Sequence, residues 1–144
     1  MSACELCSQD GGLLVFRRAE FRVIRAADAH FPAFYRVIWN EHVAEWTDLP
    51  PAERSLCMQA VAAVETVLRE ALHPTKINLA SLGNVVPHLH WHVIARFGWD
   101  SHFPQPVWGE AQRSVAPPAA ARLVLPLADL DARVAAALAG LAGH

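Results

Sequence analysis

Residues 84–98 read NVVPHLHWHVIARFG, and in them His88, His90 and His92 alternate with Leu89, Trp91 and Val93. Strand side chains point to opposite faces with a period of two. Read as a strand over 88–97, the segment sets all three imidazoles on one face and the apolar residues on the other. Imidazole changes charge near neutral pH and can act as base, nucleophile or metal ligand. A single histidine is ordinarily a satisfied polar residue, but packing does not explain three on one face.

Working outward, 76–80 (KINLA) reads as the preceding strand and 81–84 (SLGN) as the turn between the two. Upstream, Leu56, Ala60, Ala63, Val64, Val67 and Ala71 recur at helical spacing after Pro50-Pro51, with Pro74 beyond the end at Leu72 or His73. Residues 34–39 (FYRVIW) are aromatic and β-branched, as a strand requires. Two short apolar runs, 13–16 and 21–24, read as a hairpin. This order predicts an α+β domain with an antiparallel sheet of about five strands, one long helix and a short C-terminal helix. Prolines 104, 106, 117, 118 and 126 punctuate an irregular arm over 99–126, and Leu127, Leu130, Val134, Leu138 and Leu141 suggest the terminal helix over 127–144. The expectation is a single domain over 1–144 whose core is 1–98.

With 53% apolar residues, the chain has ample material for a core. A net charge of −2 argues against a general grip on nucleic-acid polymers. No apolar run approaches the ~18 residues of a membrane span. The N-terminus MSACELCSQD shows no basic-then-apolar leader, so no signal peptide is expected. Three cysteines without an export signal point to the reducing cytoplasm. Cys57, within the helical pattern, reads as a small core residue.

Two chemistries suit the histidines. Same-face neighbours on a strand rise about 6.7 Å apart and the outer pair about 13 Å, so two can share an ion but all three cannot ligate one zinc at ~2.1 Å. Alternatively, a neutral imidazole can attack phosphorus and form a phosphoramidate, splitting one hard step into two. That design needs one unprotonated nitrogen, a partner fixing its tautomer and donors for the phosphoryl oxygens. The Gly83-Asn84 turn could supply donors.

H-x-H-x-H followed by two apolar residues, preceded by Gly83-Asn84 and by an Asn on the previous strand, resembles the histidine triad (HIT) family from about Cys4 to Arg96. The resemblance implies a HIT-like fold and a nucleotide hydrolase or nucleotidyl transferase, dinucleoside polyphosphates such as diadenosine tetraphosphate being the first substrate expected. It implies that His90 attacks the α-phosphorus, that His92 contacts the phosphate and nucleophile region, and that Asn78 bonds the phosphate or ribose side, with Gly83 and Asn84 cradling phosphate. That chemistry needs no metal at the reacting phosphorus. It also implies a homodimer, for which 99–108 (WDSHFPQPVW) is either a partner-contacting arm or an edge of the chain's own core. The chain departs from the family's commoner pattern, which has Gln where Asn84 stands and Ser or Thr where Val85 stands, so one hydroxyl donor is missing. The turn before His88 is one residue shorter, and Phe34 occupies a position where some members carry another histidine.

Cys4 and Cys7 form a C-x-x-C pair, which can be accidental, redox-active or half of a zinc site. Gly11-Gly12 follows where a redox pair would open a helix in a βαβ setting. Some HIT members and the related galactose-1-phosphate uridylyltransferases carry zinc on two cysteines, a histidine after the third strand and the first triad histidine. Here the resemblance maps these ligands to Cys4, Cys7, His42 and His88, a closed structural shell. Two other classes remain open: a nucleotide-binding regulatory protein with little turnover, and a metal-dependent hydrolase or cupin-like protein using His88 and His90 as a ligand pair.

Overall fold

The computed structural model describes residues 4–141. A short helix α1 (Glu5–Ser8) precedes the hairpin β1 (Leu13–Arg17) and β2 (Phe21–Arg25), then β3 (Phe34–Trp39), helix α2 (Pro51–Leu72), β4 (Lys76–Ala80), β5 (His90–Arg96) and helix α3 (Leu127–Ala139). The strands form one antiparallel sheet in the order β1-β2-β3-β5-β4. The expected α+β fold, an antiparallel five-stranded sheet with a long helix, is therefore observed.

Helix α2 starts where proline is tolerated, with Pro51 in the first turn, and ends on His73 in the left-handed region at φ 48°. Its buried stripe of Leu56, Cys57, Ala60, Val61, Val64 and Leu68 lies on the sheet face formed by Val23, Tyr35, Val37, Val93 and Ala95. Helix α3 closes this core with Leu130, Val134 and Leu138. Asp131 of α3 is tied to the sheet: it accepts from Tyr35 Oη at 2.6 Å and from Arg25 Nε at 3.0 Å. The expected helix over 127–144 ends earlier, at Ala139 with Gly140 as its cap, and residues 142–144 lie outside those described.

One boundary differs in a way that matters. The strand expected over 88–97 begins only at His90. His88 donates its N–H to Val86 O, and Leu89, though its carbonyl accepts from Trp39 N–H at 3.1 Å, gives its own N–H to Val43 O in the loop after β3, which ends the ladder there. The chain at His88 is thus drawn towards the N-terminal segment, and the triplet does not lie on a single strand. The expected 81–84 turn is likewise the first part of a longer loop running to 89, in which Gly83 takes φ +77°, a value side chains disfavour.

Candidate functional site

The face of the sheet opposite α2 carries the chemistry. Register places His90 beside Ile38 and His92 beside Arg36 on β3, and His92 beside Ala80 and Ile94 beside Asn78 on β4. Pleating then sends Arg36, Ile38, Asn78, His90, His92 and Arg96 to one side. Apolar patches floor this side, one of Leu6, Ile24 and Ile38, another of Ala26, Phe31, Phe34 and Ile94.

Each histidine meets a different partner, and the partner fixes its tautomer. His90 Nδ1 lies 2.6 Å from the carbonyl oxygen of His88. A carbonyl only accepts, so Nδ1 carries the proton and Nε2 keeps its lone pair. His92 Nδ1 lies 3.3 Å from Arg36 Nε. A guanidinium only donates, so Nδ1 accepts and the His92 proton sits on Nε2. His88 Nε2 lies 2.6 Å from Trp39 O, to which it donates, leaving its Nδ1 as the free lone pair.

Burial is the first cause that lowers the His90 pKa, with the Arg36 charge adding to it and the hydrogen bond to His88 opposing. Burial, then His90 and Arg36, bring His92 down to about 4. Both imidazoles are therefore neutral at pH 7. Their rings meet edge to face at 5.0 Å. The site thus offers a lone pair and an N–H side by side in surroundings from which water is largely excluded.

At the other end of the loop, Cys4, Cys7, His42 and His88 bring their ligand atoms within 4.8 Å of one another. His42 Nδ1 and His88 Nδ1 are 3.2 Å apart, and the sulfur-to-nitrogen distances are 3.3 Å for Cys4–His88, 3.4 Å for Cys7–His42 and 3.6 Å for Cys7–His88. A tetrahedral zinc with its usual bond lengths requires edges of about 3.3 Å between nitrogens and about 3.5 Å between sulfur and nitrogen. Four of the six edges match that ion, and the Trp39 carbonyl supplies the outer hydrogen bond that orients a ligating histidine.

The sequence profile of the HIT domain matches residues 10–98. The chain belongs to the HIT family. Among solved structures, a histidine triad protein from Marinobacter aquaeolei is similar at 26% identity with TM-score 0.73, covering 96% of each chain. One from Bradyrhizobium japonicum is similar at 25% identity and TM-score 0.70, covering 96% of this chain and 95% of that one. A histidine triad family protein from Mycobacterium smegmatis, described as zinc-bound, is similar at 21% identity and TM-score 0.59, covering 96% and 92%. No curated protein matches the chain.

Seen as a HIT chain, the molecule brings some expected residues together and leaves others apart. Asn78 lies on the histidine face, and its Oδ1 accepts from Arg96 Nη1 at 2.8 Å, which leaves the amide N–H groups as its donors. No hydrogen bond or ring contact joins Gly83 or Asn84 to the histidines among the described residues, and Val85 is 93% exposed. The loop is tied to the triad through Ser81, whose Oγ donates to His90 O at 2.8 Å. Sequence reasoning missed Arg36, whose signal was a lone charge inside the apolar run FYRVIW. It also missed Trp108, whose ring meets that of His92 at 5.4 Å, and the buried Arg96–Asp100 pair that organises the chain after β5.

Proposed function

We propose that this HIT protein is a nucleotide hydrolase, or nucleotidyl transferase, working through a nucleotidyl-His90 intermediate. The observation that carries the reading is the His90 tautomer: Nδ1–H is engaged by the His88 carbonyl, so Nε2 holds a lone pair in a neutral, buried ring. Nε2 attacks the α-phosphorus, the P–N bond forms, and the bond to the leaving phosphate breaks with its electron pair departing on oxygen. The ring becomes cationic in this step, and the His88 carbonyl facing Nδ1–H stabilises that charge. His92 Nε2–H donates to a phosphoryl oxygen as charge develops there. Asn78, held by Arg96, turns its N–H donors to the phosphate or ribose, and backbone groups around Gly83 with Asn84 cradle the phosphate chain. Water then attacks phosphorus, the P–N electrons return to Nε2, and the mononucleotide leaves.

Cys4, Cys7, His42 and His88 would hold a structural zinc. When bound, such an ion crosslinks the N-terminal segment to the loop before β5. The distances above support this, and the zinc-bound description of the Mycobacterium smegmatis protein agrees with it. With both His88 nitrogens directed to these partners, a His88–His90 chelate at the phosphorus is disfavoured. We place the protein in the cytoplasm as a homodimer, the latter checked by light scattering on the eluting protein. No helix among the described residues is long and apolar enough to cross a membrane.

The test is single-turnover trapping with a labelled dinucleoside polyphosphate, followed by intact-mass analysis and peptide mapping. A nucleotidyl adduct on His90, absent from His90→Gly while that variant still binds nucleotide, is the expected result. Turnover near wild type in His90→Gly would refute the assignment. The exposed, donor-free Val85 favours a second reading, a nucleotide-binding protein with little turnover. Tight binding without adduct would select it.

A further inference from the structure

Four arginines, Arg17, Arg22, Arg36 and Arg96, lie on the histidine face. Three are closed. Arg17 is paired with the Asp10 carboxylate. Arg22 donates to the carbonyls of Leu6, Gln9 and Asp10 and to Asn40 Oδ1. Arg96 is held by the Asp100 carboxylate, Asn78 and Gln105 O. Arg36 differs. Its one hydrogen bond runs from Nε to His92 Nδ1 at 3.3 Å, and its guanidinium carbon sits 5.2 Å over the Phe34 ring. Among the described residues its two terminal amino groups have no hydrogen-bond partner, and no carboxylate pairs with it.

A guanidinium half out of water with an open fork is a mismatch in a finished protein interior and a match for an anion. Asp28 and Glu5 act on it only as more distant charges, and burial disfavours its charge. No carboxylate of the described residues reaches its fork, so the charge Arg36 brings to this face has no bound counter-charge. Arg36 is paired with His92 across the ladder and stands diagonally from His90, a same-face separation of about 7–8 Å, so a phosphate chain running on from an α-phosphorus at His90 Nε2 can reach the fork.

We propose that Arg36 is the phosphate-chain anchor of this site, making it selective for nucleotides with at least one phosphate beyond the attacked phosphorus. This rests on the function proposed above and deepens it: phosphoanhydrides, and not single-phosphorus amidates, are the substrate class. Arg36 acts with both ends. Nε sets His92 in its Nε2–H form, and the terminal amines form charge-assisted bonds to non-bridging oxygens.

The test compares wild type, Arg36→Met and Arg36→Lys on diadenosine tetraphosphate and on adenosine 5′-phosphoramidate. A charge-assisted bond corresponds to about a 10- to 100-fold effect. Arg36→Met should lose that factor in kcat/KM on the polyphosphate beyond whatever it loses on the amidate. A binding arm without chemistry uses inorganic tripolyphosphate: it should raise the melting temperature of wild type, not of Arg36→Met, and partly that of Arg36→Lys. Equal losses on both substrates, with unchanged tripolyphosphate binding, would show that Arg36 only orients His92 and would overturn the proposal. If wild type forms no His90 adduct, the hydrolase reading fails, while the tripolyphosphate arm still decides whether Arg36 holds a phosphate chain. Should Arg36→Met fail to fold, Arg36→Lys decides, since lysine keeps the charge and loses the planar fork.

Discussion

Replacing Asp100 with alanine should destabilise the protein by about 3–5 kcal/mol, the cost of stranding one member of a buried ion pair. Both side chains of the Arg96–Asp100 pair are only 2% exposed. The carboxylate accepts from Arg96 Nε at 2.9 Å and Nη2 at 3.1 Å, and from the N–H groups of Phe97 at 3.0 Å, His102 at 3.0 Å and Phe103 at 2.7 Å. Alanine removes all of these acceptors together and leaves a guanidinium buried between the rings of Phe31 and Phe103. Water can reach the 97–103 backbone once it loosens, so the freed N–H groups add less than their full burial cost. At about 2–4 °C per kcal/mol for a chain of this size, the melting temperature should fall by roughly 6–20 °C.

Asp100→Asn separates charge from shape. Its amide group turns a second donor towards Arg96 or Phe97, so it should melt nearer to the alanine variant than to wild type. The pH dependence carries a further check. Desolvation pushes the Asp100 carboxyl up, but the bonds from Arg96, Phe97, His102 and Phe103 together outweigh it and hold it below its ordinary value. A depressed carboxyl gives stability that is complete above the unfolded pKa and is lost as pH falls through the folded one. The gap between wild type and Asp100→Asn should therefore stay constant from about pH 8 to about pH 5 and narrow only below about pH 4. Denaturant and thermal melts read both quantities. A fall of less than about 3 °C for Asp100→Ala, or a gap that closes near neutral pH, would refute the reasoning.

His92, brought down to about 4, binds its proton more weakly folded than unfolded. Its contribution to stability is complete above the ordinary histidine value of about 6.5 and is lost progressively towards pH 4. Between pH 7 and 5 wild type should lose more urea resistance than His92→Gln, and parallel curves would sink the claim. Protein made with zinc supplied should contain about one equivalent per chain, and Cys7→Ser much less. Below about a tenth of an equivalent in wild type, the four-ligand shell is not a zinc site. Val85→Ser restores a hydroxyl at a fully solvated position, and one neutral hydrogen bond of about 1 kcal/mol should raise kcat about fivefold. Unchanged kcat would mean that the loop does not approach the phosphate.

Elements whose cause is local were legible in the sequence. Helix α2 declared itself through Pro51, its three- and four-residue apolar spacing and Pro74, and β3 through FYRVIW, because these patterns need no distant partner. The start of β5 was not legible. The period-two pattern runs unbroken through His88, but ladder membership depends on where Leu89 sends its N–H, and Val43 accepts it. Arg36 was invisible for the same reason: its presence on a strand is local, but its place beside His92 follows from the register between two strands more than fifty residues apart. Asp100 lies beyond the family match, and an Asp four residues after an Arg has no strong meaning until burial removes solvent as the alternative partner.

The three histidines differ less in position than in what their second nitrogen meets, and this links the two ends of the chain. His88 presents its ring to a cluster that includes Cys4, 84 residues away, and its carbonyl oxygen to His90 Nδ1. Trp39 O fixes the same ring from the other side. The His88 backbone therefore cannot turn without disturbing either the cluster or the bond that leaves His90 Nε2 unprotonated. The hold of Arg36 and Asn78 on a phosphate chain has no such dependence, since they stand on β3 and β4, which do not pass through His88. Dismantling the cluster with His42→Ala should accordingly slow adduct formation on His90 while leaving the tripolyphosphate affinity carried by Arg36 nearly unchanged. If affinity falls in step with the adduct rate, the cluster supports the whole face and not the histidine in particular.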